Sequence, residues 1–326
     1  MATARAPISR GERVPDFALP RGDDAEGPTR FYGLVGGRPG VLLLAGADGR
    51  RADELAARLA DEAGLDIHVV VAEPAEAPAG AFVDAGGQVH AAFGADEQEP
   101  VAVVHDPNLR VTATTPLADV AAARDAVLAG LPRAPAADAG VAPRLAPVLF
   151  VPDAIAEELR MELVERWRTE GHVATGVETV VEDARAEATD LRRKRRRDHT
   201  VTDQQLLRRL TRHVGDRVFP ELEKAFAFRA GGFEGFKIGC YTAEDRGHFE
   251  AHRDNLSAAT AHRRFGLTLN LNDDYEGGEL RFPEYGTTRY RPAAGEALVF
   301  SGSHLHEVLP VERGQRFVLL SFVLAR

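Results

Sequence analysis

The sequence of 326 residues is poor in sulfur, with one cysteine, Cys240, and two methionines. A single cysteine excludes an internal disulfide and any redox motif made of two neighbouring thiols. No uncharged run approaches the roughly 18 residues that a membrane-spanning helix needs, and the N-terminus lacks the apolar core of a secretory signal. We therefore expect a cytoplasmic protein without a membrane partner.

Neither half of the sequence has a surplus of positive charge. Residues 1–146 carry 13 basic and 21 acidic side chains, a balance of −8, and residues 147–326 carry 27 and 29, a balance of −2. Binding to nucleic-acid phosphates requires a surplus of lysine and arginine. The composition therefore argues against nucleic acid as a partner.

The length favours two domains. The clearest boundary is a stretch rich in alanine, proline and glycine that shows no apolar periodicity. We predict an N-terminal domain at 1–131, a linker at 132–146 and a C-terminal domain at 147–326.

The N-terminal part alternates predicted strands with predicted helices. Apolar runs at 41–45, 67–72 and 101–105 have the pattern of buried strands, and 53–62 and 117–129 have helical spacing. Such alternation indicates an α/β layer fold.

Three segments of this part, at 11–20, 82–94 and 101–111, resemble the peroxiredoxin-type domains of the thioredoxin fold. That family places its peroxidatic cysteine at the start of the helix after the strand that here ends near Ala45, where the helix dipole lowers the pKa of the thiol. Residues 46–51 contain no cysteine. The resemblance therefore implies a thioredoxin-like domain without thiol peroxidase chemistry.

The C-terminal part begins with helical patterns and continues with short strands. Residues 152–168 form a predicted amphipathic helix with Asp153 as its N-cap, and 201–228 read as one or two helices. Seven short strands are predicted from there on, at 236–242, 247–253, 264–272, 278–283, 287–291, 296–300 with 304–311, and 315–324. This pattern is typical of a jelly roll or barrel packed against helices.

A candidate metal site lies in the strand region. In His252-Arg-Asp254 the two outer side chains point to one face of an extended strand, and His306 on a later strand is the natural third ligand. His304 points the same way as His306 and competes with it. Two histidines and one carboxylate form the facial triad of non-haem iron(II) oxygenases.

Arg316 follows His306 by ten residues, across a turn. In a hairpin of that length Arg316 returns to about the level of the metal. Its planar guanidinium can hold a carboxylate through two parallel hydrogen bonds.

The C-terminal part resembles the prolyl-4-hydroxylase-like 2-oxoglutarate oxygenases. Six segments carry the resemblance in order: 236–241, 247–254, 267–272, 277–282, 292–300 and 306–316. The resemblance implies a double-stranded β-helix (jelly roll) in which His252, Asp254 and His306 bind Fe(II) and Arg316 holds the distal carboxylate of 2-oxoglutarate. It also implies Tyr241 as a second contact to that carboxylate, although the stretch from Tyr241 to His252 is about two residues longer than is usual in the family.

By this resemblance the chain is a dioxygenase that uses Fe(II), 2-oxoglutarate and O2, with ascorbate as an accessory reductant. It would hydroxylate a peptidyl substrate, prolyl residues among them, or a small molecule, and release succinate and CO2. The alternative is a pseudo-enzyme or sensor that binds iron and 2-oxoglutarate and acts through partners of the thioredoxin-like domain. The sequence is compatible with a homodimer. A redox function of the N-terminal domain is nearly eliminated by the missing cysteine.

Four further features have less specific interpretations. The basic run 192–197 is interpreted as a solvated surface segment, with the mouth of the active site as the alternative. Cys240 is interpreted as a small core residue. Asn270 is a candidate to line the pocket, and Asn272 is more simply a residue of a turn.

Overall fold

The computed structural model describes residues 7–22, 28–35, 38–46, 49–62, 64–73, 77–96, 98–132, 145–181, 184–188 and 191–326. The chain divides into two compact units, Met1–Asp138 and Ala139–Arg326. Most of the predicted linker, residues 133–144, lies outside the described residues. No helix in the described ranges has both the length and the apolar character needed to cross a membrane.

The first unit combines a mixed sheet with short helices. Its strands are β1 (Ala18–Leu19), β2 (Thr29–Arg30), β3 (Gly40–Leu44), β4 (Asp66–Val71), β5 (Phe82–Val83), β6 (Val101–His105) and β7 (Val111–Pro116), and its helices are α1 (Phe31–Leu34), α2 (Arg50–Leu59), α3 (Gln88–Ala92) and α4 (Val120–Gly130). The main sheet has the order β5-β4-β3-β6-β7. Strands β3, β4 and β5 are parallel neighbours, and β6 and β7 join the sheet in antiparallel fashion.

The centre of this sheet is covered on both faces. Every residue of β3 is buried, with Leu42 and Leu44 in one core and Val41 and Leu43 in the other. A strand buried on both faces reads as a continuous apolar run, which is why the sequence pattern predicted it. Helices α2 and α4 contribute to the second of these cores.

Two histidines of the first unit, one buried and one half-buried, lack a full set of hydrogen bonds. Among the described residues, Nε2 of His68 and Nε2 of His105 have no hydrogen-bond partner. Burial, which disfavours the charged imidazolium, lowers the pKa of both side chains below 6.5. Both histidines are therefore neutral in the folded protein near neutral pH.

We expect these histidines to make the protein less stable in mild acid. Because the pKa of each histidine is lower in the folded protein, the unfolded chain binds more protons than the folded one in mild acid. The free energy of unfolding therefore has its full value above about pH 6.5 and decreases as the pH falls below it. Thermal unfolding followed from about pH 8 to pH 5 should show a smaller decline in Tm for the double variant His68→Gln/His105→Gln than for the wild type. Parallel declines would contradict this expectation.

The second unit has two helices and many short strands in its described residues. The helices are α5 (Glu157–Thr169) and α6 (Gln204–Phe226). The strands are β8 (Val148–Val151), β9 (Val173–Ala174), β10 (Val177–Val181), β11 (Ala184–Ala188), β12 (Lys194–Arg195), β13 (Arg197–Thr200), β14 (Ala230–Phe233), β15 (Lys237–Thr242), β16 (His248–His252), β17 (Arg263–Asn270), β18 (Glu276–Gly277), β19 (Leu280–Arg281), β20 (Arg289–Tyr290), β21 (Ala297–Ser301), β22 (His306–Val308), β23 (Val311–Arg313) and β24 (Gln315–Ala325).

Most of these strands form a large and a small sheet, and the pairs β10-β11 and β18-β23 form two separate two-stranded sheets. The large sheet has the order β8-β21-β17-β24-β15-β13-β9, with β14 also paired to β24, and the small sheet has the order β12-β16-β22-β19-β20. Side chains from both sheets pack into one apolar cluster, for example Phe300 and Val318 of the large sheet with Leu280 and Val308 of the small one. The arrangement is consistent with a jelly roll.

Alternation along the strands of the large sheet separates two environments. On β24, Phe317 and Leu319 pack with helices α5 and α6, whereas Val318 packs in the cluster between the sheets. Arg316 has the parity of Val318, so it lies on the face that looks toward the small sheet. Tyr241 on β15 belongs to the same inner cluster.

The two predicted helical regions differ in detail from the structure. Helix α5 begins at Glu157, and its N-cap position is Ala156 without a side-chain cap, so Asp153 as the N-cap was wrong. Asp153 instead has a φ of 50°, which belongs to a turn. The region 201–228 is a single helix, α6, because Asp203 caps its N-terminus and Pro220 is accommodated within it.

Candidate active site

The three predicted metal ligands come together at the small sheet. His252 ends β16 and His306 begins β22, and the two residues are cross-strand partners. Asp254 lies just past the end of β16, where its backbone N–H donates to the carbonyl of Gly302 at 2.9 Å. Nε2 of His252 lies 3.6 Å from Oδ1 of Asp254, and Nε2 of His306 lies 3.7 Å from Oδ2 of Asp254.

Backbone carbonyls orient both imidazole rings. Nδ1 of His252 is 2.8 Å from the carbonyl oxygen of Glu250, and Nδ1 of His306 is 3.0 Å from that of His304. Because a carbonyl only accepts, each Nδ1 carries the proton and each Nε2 keeps its lone pair toward the other ligands. Burial, reinforced by the neighbouring His306, lowers the pKa of His252 well below 6.5, which keeps this ring neutral.

An aromatic ring packs against each histidine of the metal site. Phe249 stacks on His252 with ring centroids 3.6 Å apart, and Phe300 lies 4.5 Å from His306. Gly266 leaves room for the carboxylate, since a Cβ there would lie 2.9 Å from Oδ2 of Asp254. A larger residue at 266 would push Asp254 out of place.

The donor set fits Fe(II). The three ligand atoms lie within 4.8 Å of one another, and no other group of this kind occurs in the described part of the chain. Adjacent donors of an octahedral ion lie about 3 Å apart, so a small contraction would close this triangle on a metal. Two neutral imidazoles and one carboxylate on one face leave the opposite positions open.

His304, the competing third ligand, faces a different partner. Its Nδ1 lies 3.1 Å from the hydroxyl of Tyr285, and it is not in the group formed by His252, Asp254 and His306. The structure therefore brings His306, and not His304, together with the other two residues.

Arg316 is a buried cation with neutral partners. Its side chain is among the largest fully buried ones, with 1% exposure. It donates from Nη1 to the carbonyl of Gly278 at 2.9 Å and from Nη2 to Oδ1 of Asn270 at 2.9 Å, with Thr268 at 3.4 Å. Among the described residues no carboxylate forms a salt bridge with it, and a buried charge without a counter-ion is costly. Arg316 therefore fits an anionic ligand such as 2-oxoglutarate.

Tyr241 lies directly beside Arg316. The two residues are cross-strand partners, and the guanidinium carbon of Arg316 lies 5.7 Å from the centroid of the tyrosine ring. The hydroxyl of Tyr241 accepts a hydrogen bond from Nη1 of Arg196 at 3.1 Å. The structure thus brings Tyr241 and Arg316 together.

The interpretation of 192–197 as a solvated segment was wrong for two of its residues. Lys194 is 6% exposed, and the side chain of Arg196 is 10% exposed, while Arg195 and Arg197 point to solvent. Asp198 is buried as well and forms an ion pair with Arg196. The sequence carries no signal for this inward face, because the intervening residues Arg195 and Arg197 are charged as well.

A salt bridge on the rim braces the two ligand-bearing segments. Nη2 of Arg253 lies 2.6 Å from Oε1 of Glu284, and Oε2 of Glu284 accepts from the backbone N–H of Leu305 at 2.9 Å. The hydrogen bond from Arg253 lowers the pKa of Glu284 to about 2. Glu284 therefore connects the residue between His252 and Asp254 with the residue before His306.

A known family model matches the segment that carries this site. Residues 236–324 match the 2OG-Fe(II) oxygenase superfamily. This oxygenase segment contains His252, Asp254, His306, Arg316 and Tyr241. Fe(II) and 2-oxoglutarate are the metal and co-substrate for which the family is named, and O2 is the oxidant of its oxygenases.

Known relatives match shorter stretches. A PKHD-type hydroxylase of Pseudomonas putida is 36% identical over 102 residues, which are 31% of this chain and 41% of that protein. A PKHD-type hydroxylase of a Polaromonas species is 48% identical over 56 residues, 17% of this chain and 25% of that protein. The chain thus spans less than half the length of these relatives.

Among solved structures, a prolyl-4-hydroxylase of Pseudomonas putida aligns with a TM-score of 0.40 and 18% identity, over 56% of this chain and 94% of that one.

Proposed function

We propose that the second unit is an Fe(II)- and 2-oxoglutarate-dependent dioxygenase that hydroxylates a C–H bond. The reaction consumes 2-oxoglutarate, O2 and a substrate R–H, and it yields succinate, CO2 and R–OH. The observation that carries the proposal is a His252, Asp254 and His306 triad in the same inter-sheet region as a buried cation, Arg316, without a carboxylate partner among the described residues.

Each residue has a defined task in this reaction. His252 and His306 would hold Fe(II) through neutral Nε2 atoms, and Asp254 would offset part of the metal charge. Fe(II), when bound, supplies the redox chemistry that couples the decarboxylation of 2-oxoglutarate to the hydroxylation. Arg316 would bind the distal carboxylate of 2-oxoglutarate, with Tyr241 as a second contact. Phe249 and Phe300 pack against the two imidazoles and would help to hold them in position.

The substrate class is a peptidyl side chain, with prolyl among the candidates, or a small molecule. The names of the matching relatives support a hydroxylase. Ascorbate fits as an accessory reductant that keeps iron in the ferrous state.

We expect the Fe(II)-loaded protein to release succinate from 2-oxoglutarate, and one class of substrate to accelerate that release. A screen of peptides and free amino acids, with succinate as the readout, checks this. The control is the same screen with Asp254→Ala. Binding of iron and 2-oxoglutarate without any substrate-stimulated succinate would instead support the pseudo-enzyme or sensor.

For the first unit we propose a thioredoxin-like domain that does no peroxidase chemistry. Its support is the mixed sheet with helices, together with the absence of cysteine between β3 and α2. Cys240 does not replace that thiol, because it belongs to the second unit and burial raises its pKa to about 12. The division of the chain at Asp138 falls within the proposed linker 132–146.

A cytoplasmic location and a homodimer remain part of the proposal. The task we propose for the thioredoxin-like domain is to recruit a protein partner or to mediate dimerisation.

A further inference from the structure

Arg196 is held in one orientation by a buried carboxylate. Its Nε and Nη2 donate to the two oxygens of Asp198 at 2.6 and 2.8 Å. The hydroxyl of Thr175 donates to the same carboxylate at 2.6 Å. Burial opposes both charges, but the attraction between Arg196 and Asp198 outweighs it, so that the pKa of Arg196 is raised and that of Asp198 is lowered. The fork leaves Nη1 of Arg196 directed at Tyr241.

This contact determines the direction of the hydrogen bonds at Tyr241. A guanidinium has only N–H donors, so the hydroxyl oxygen of Tyr241 must accept from Arg196. The hydroxyl hydrogen of Tyr241 then has to find another acceptor. Tyr241 is 1% exposed, and among the described residues its hydroxyl donates to none. A buried tyrosine hydroxyl is normally paired, so an acceptor is expected from a ligand.

The unused donor lies beside the proposed site for the distal carboxylate. Two guanidinium groups lie close to the ring of Tyr241, with the carbon of Arg316 at 5.7 Å and that of Arg196 at 5.5 Å from its centroid. A carboxylate held by Arg316 has spare lone pairs for a second donor. Because Arg196 donates to the oxygen of Tyr241, the hydroxyl hydrogen of Tyr241 points away from Arg196 and is left for that carboxylate.

We infer that Arg196 is a positioning residue for co-substrate binding, which turns Tyr241 into a hydrogen-bond donor toward the distal carboxylate of 2-oxoglutarate. The inference rests on the proposed function. It gives a task to the inward face of the basic run 192–197. It also gives a reason for a residue without a side chain at position 239. A Cβ at Gly239 would lie 3.0 Å from Oδ1 of Asp198 and 3.1 Å from Cδ of Arg196.

The test uses binding to the full-length Fe(II) protein under anaerobic conditions. The visible charge-transfer absorbance of the chelate reports the binding of 2-oxoglutarate, and of 2-oxobutyrate, which has the same chelating end but no distal carboxylate. Arg196→Lys keeps a charge for Asp198 but cannot reach both Asp198 and Tyr241. We expect it to weaken 2-oxoglutarate binding about tenfold and to leave 2-oxobutyrate binding unchanged.

A double-mutant cycle separates positioning from general damage. In a Tyr241→Phe background, Arg196→Lys should cause little further loss, because the donor is already gone. Arg195→Lys is the matched control on the exposed face of the same run, and it should bind 2-oxoglutarate like the wild type. Gly239→Ala displaces Arg196 without removing either charge, and it should reproduce the selective loss if Arg196→Lys does not fold.

The outcomes distinguish the two proposals. Three results would overturn the positioning role of Arg196. They are an equal loss of affinity for both oxo acids in Arg196→Lys, unchanged binding in that variant, or a full further loss of affinity when Arg196→Lys is added to Tyr241→Phe. A wild-type protein that loads Fe(II) but binds neither oxo acid overturns the proposed function instead.

Discussion

Replacing Asp254 with alanine is expected to abolish Fe(II) binding and succinate formation. Asp254 is the only negative ligand of the triad, and its two oxygens face Nε2 of His252 and Nε2 of His306. Without it, two neutral imidazoles remain, and the affinity for Fe(II) should fall by about a hundredfold or more. Metal content after dialysis against a defined Fe(II) concentration, together with calorimetric titration, measures the loss.

His262→Ala is the control for the triad. His262 lies outside the triad, where it contacts Glu234 at 3.0 Å with about half of its side chain exposed, at 48%. This variant should bind Fe(II) like the wild type. His306→Ala should behave like Asp254→Ala, whereas His304→Ala should retain the metal. Stoichiometric Fe(II) in Asp254→Ala, or a loss of metal in His304→Ala equal to that in His306→Ala, would contradict the ligand set.

Replacing Arg316 with lysine is expected to raise the 2-oxoglutarate requirement sharply. Lysine keeps the charge but loses the fork that can hold a carboxylate through two hydrogen bonds, and such contacts to buried charged partners are worth about 2 to 5 kcal/mol. The apparent KM for 2-oxoglutarate should rise by at least about thirtyfold while kcat at saturation changes less.

Arg316 also contributes to the stability of the fold, and the experiment must separate this contribution from its role in binding 2-oxoglutarate. It donates to Gly278 and Asn270, so its removal leaves buried acceptors unpaired and lowers stability. Thermal unfolding of each variant therefore accompanies the kinetics. Arg313→Lys is the control in the same hairpin, because Arg313 is exposed and pairs with Glu276. A saturation curve of Arg316→Lys that matches the wild type would remove Arg316 from its proposed role.

Much of the second unit could be predicted because its signals are local. The apolar runs of β21 and β24 are each nearly continuous in the sequence, so neighbouring residues are enough to predict these strands. Residues His252 and Asp254 are separated by one position, so their convergence needs little knowledge of the rest of the fold. The start of α5 was less predictable, because a turn at Asp153 puts the cap position three residues later, at Ala156.

The partners of Tyr241 could not be predicted in the same way. Arg196 reaches it only because β13 pairs with β15 in a register that places Arg197 opposite Cys240. A shift of that register by one residue would turn Arg196 to the other face of the sheet. The basic run was therefore interpreted from its composition, which says nothing about which of its members point inward.

The sequence by itself determined the chemical types of the site. It supplied two imidazoles and a carboxylate for a metal, a guanidinium ten residues past the last ligand, and no thiol for peroxidase chemistry. The tertiary structure decided which copies of these groups meet. It selected His306 over His304, left Arg316 among neutral partners, and turned Arg196 toward Tyr241. Chemical type belongs to each residue alone, whereas distances between residues far apart in the chain depend on strand register and on how the two sheets pack.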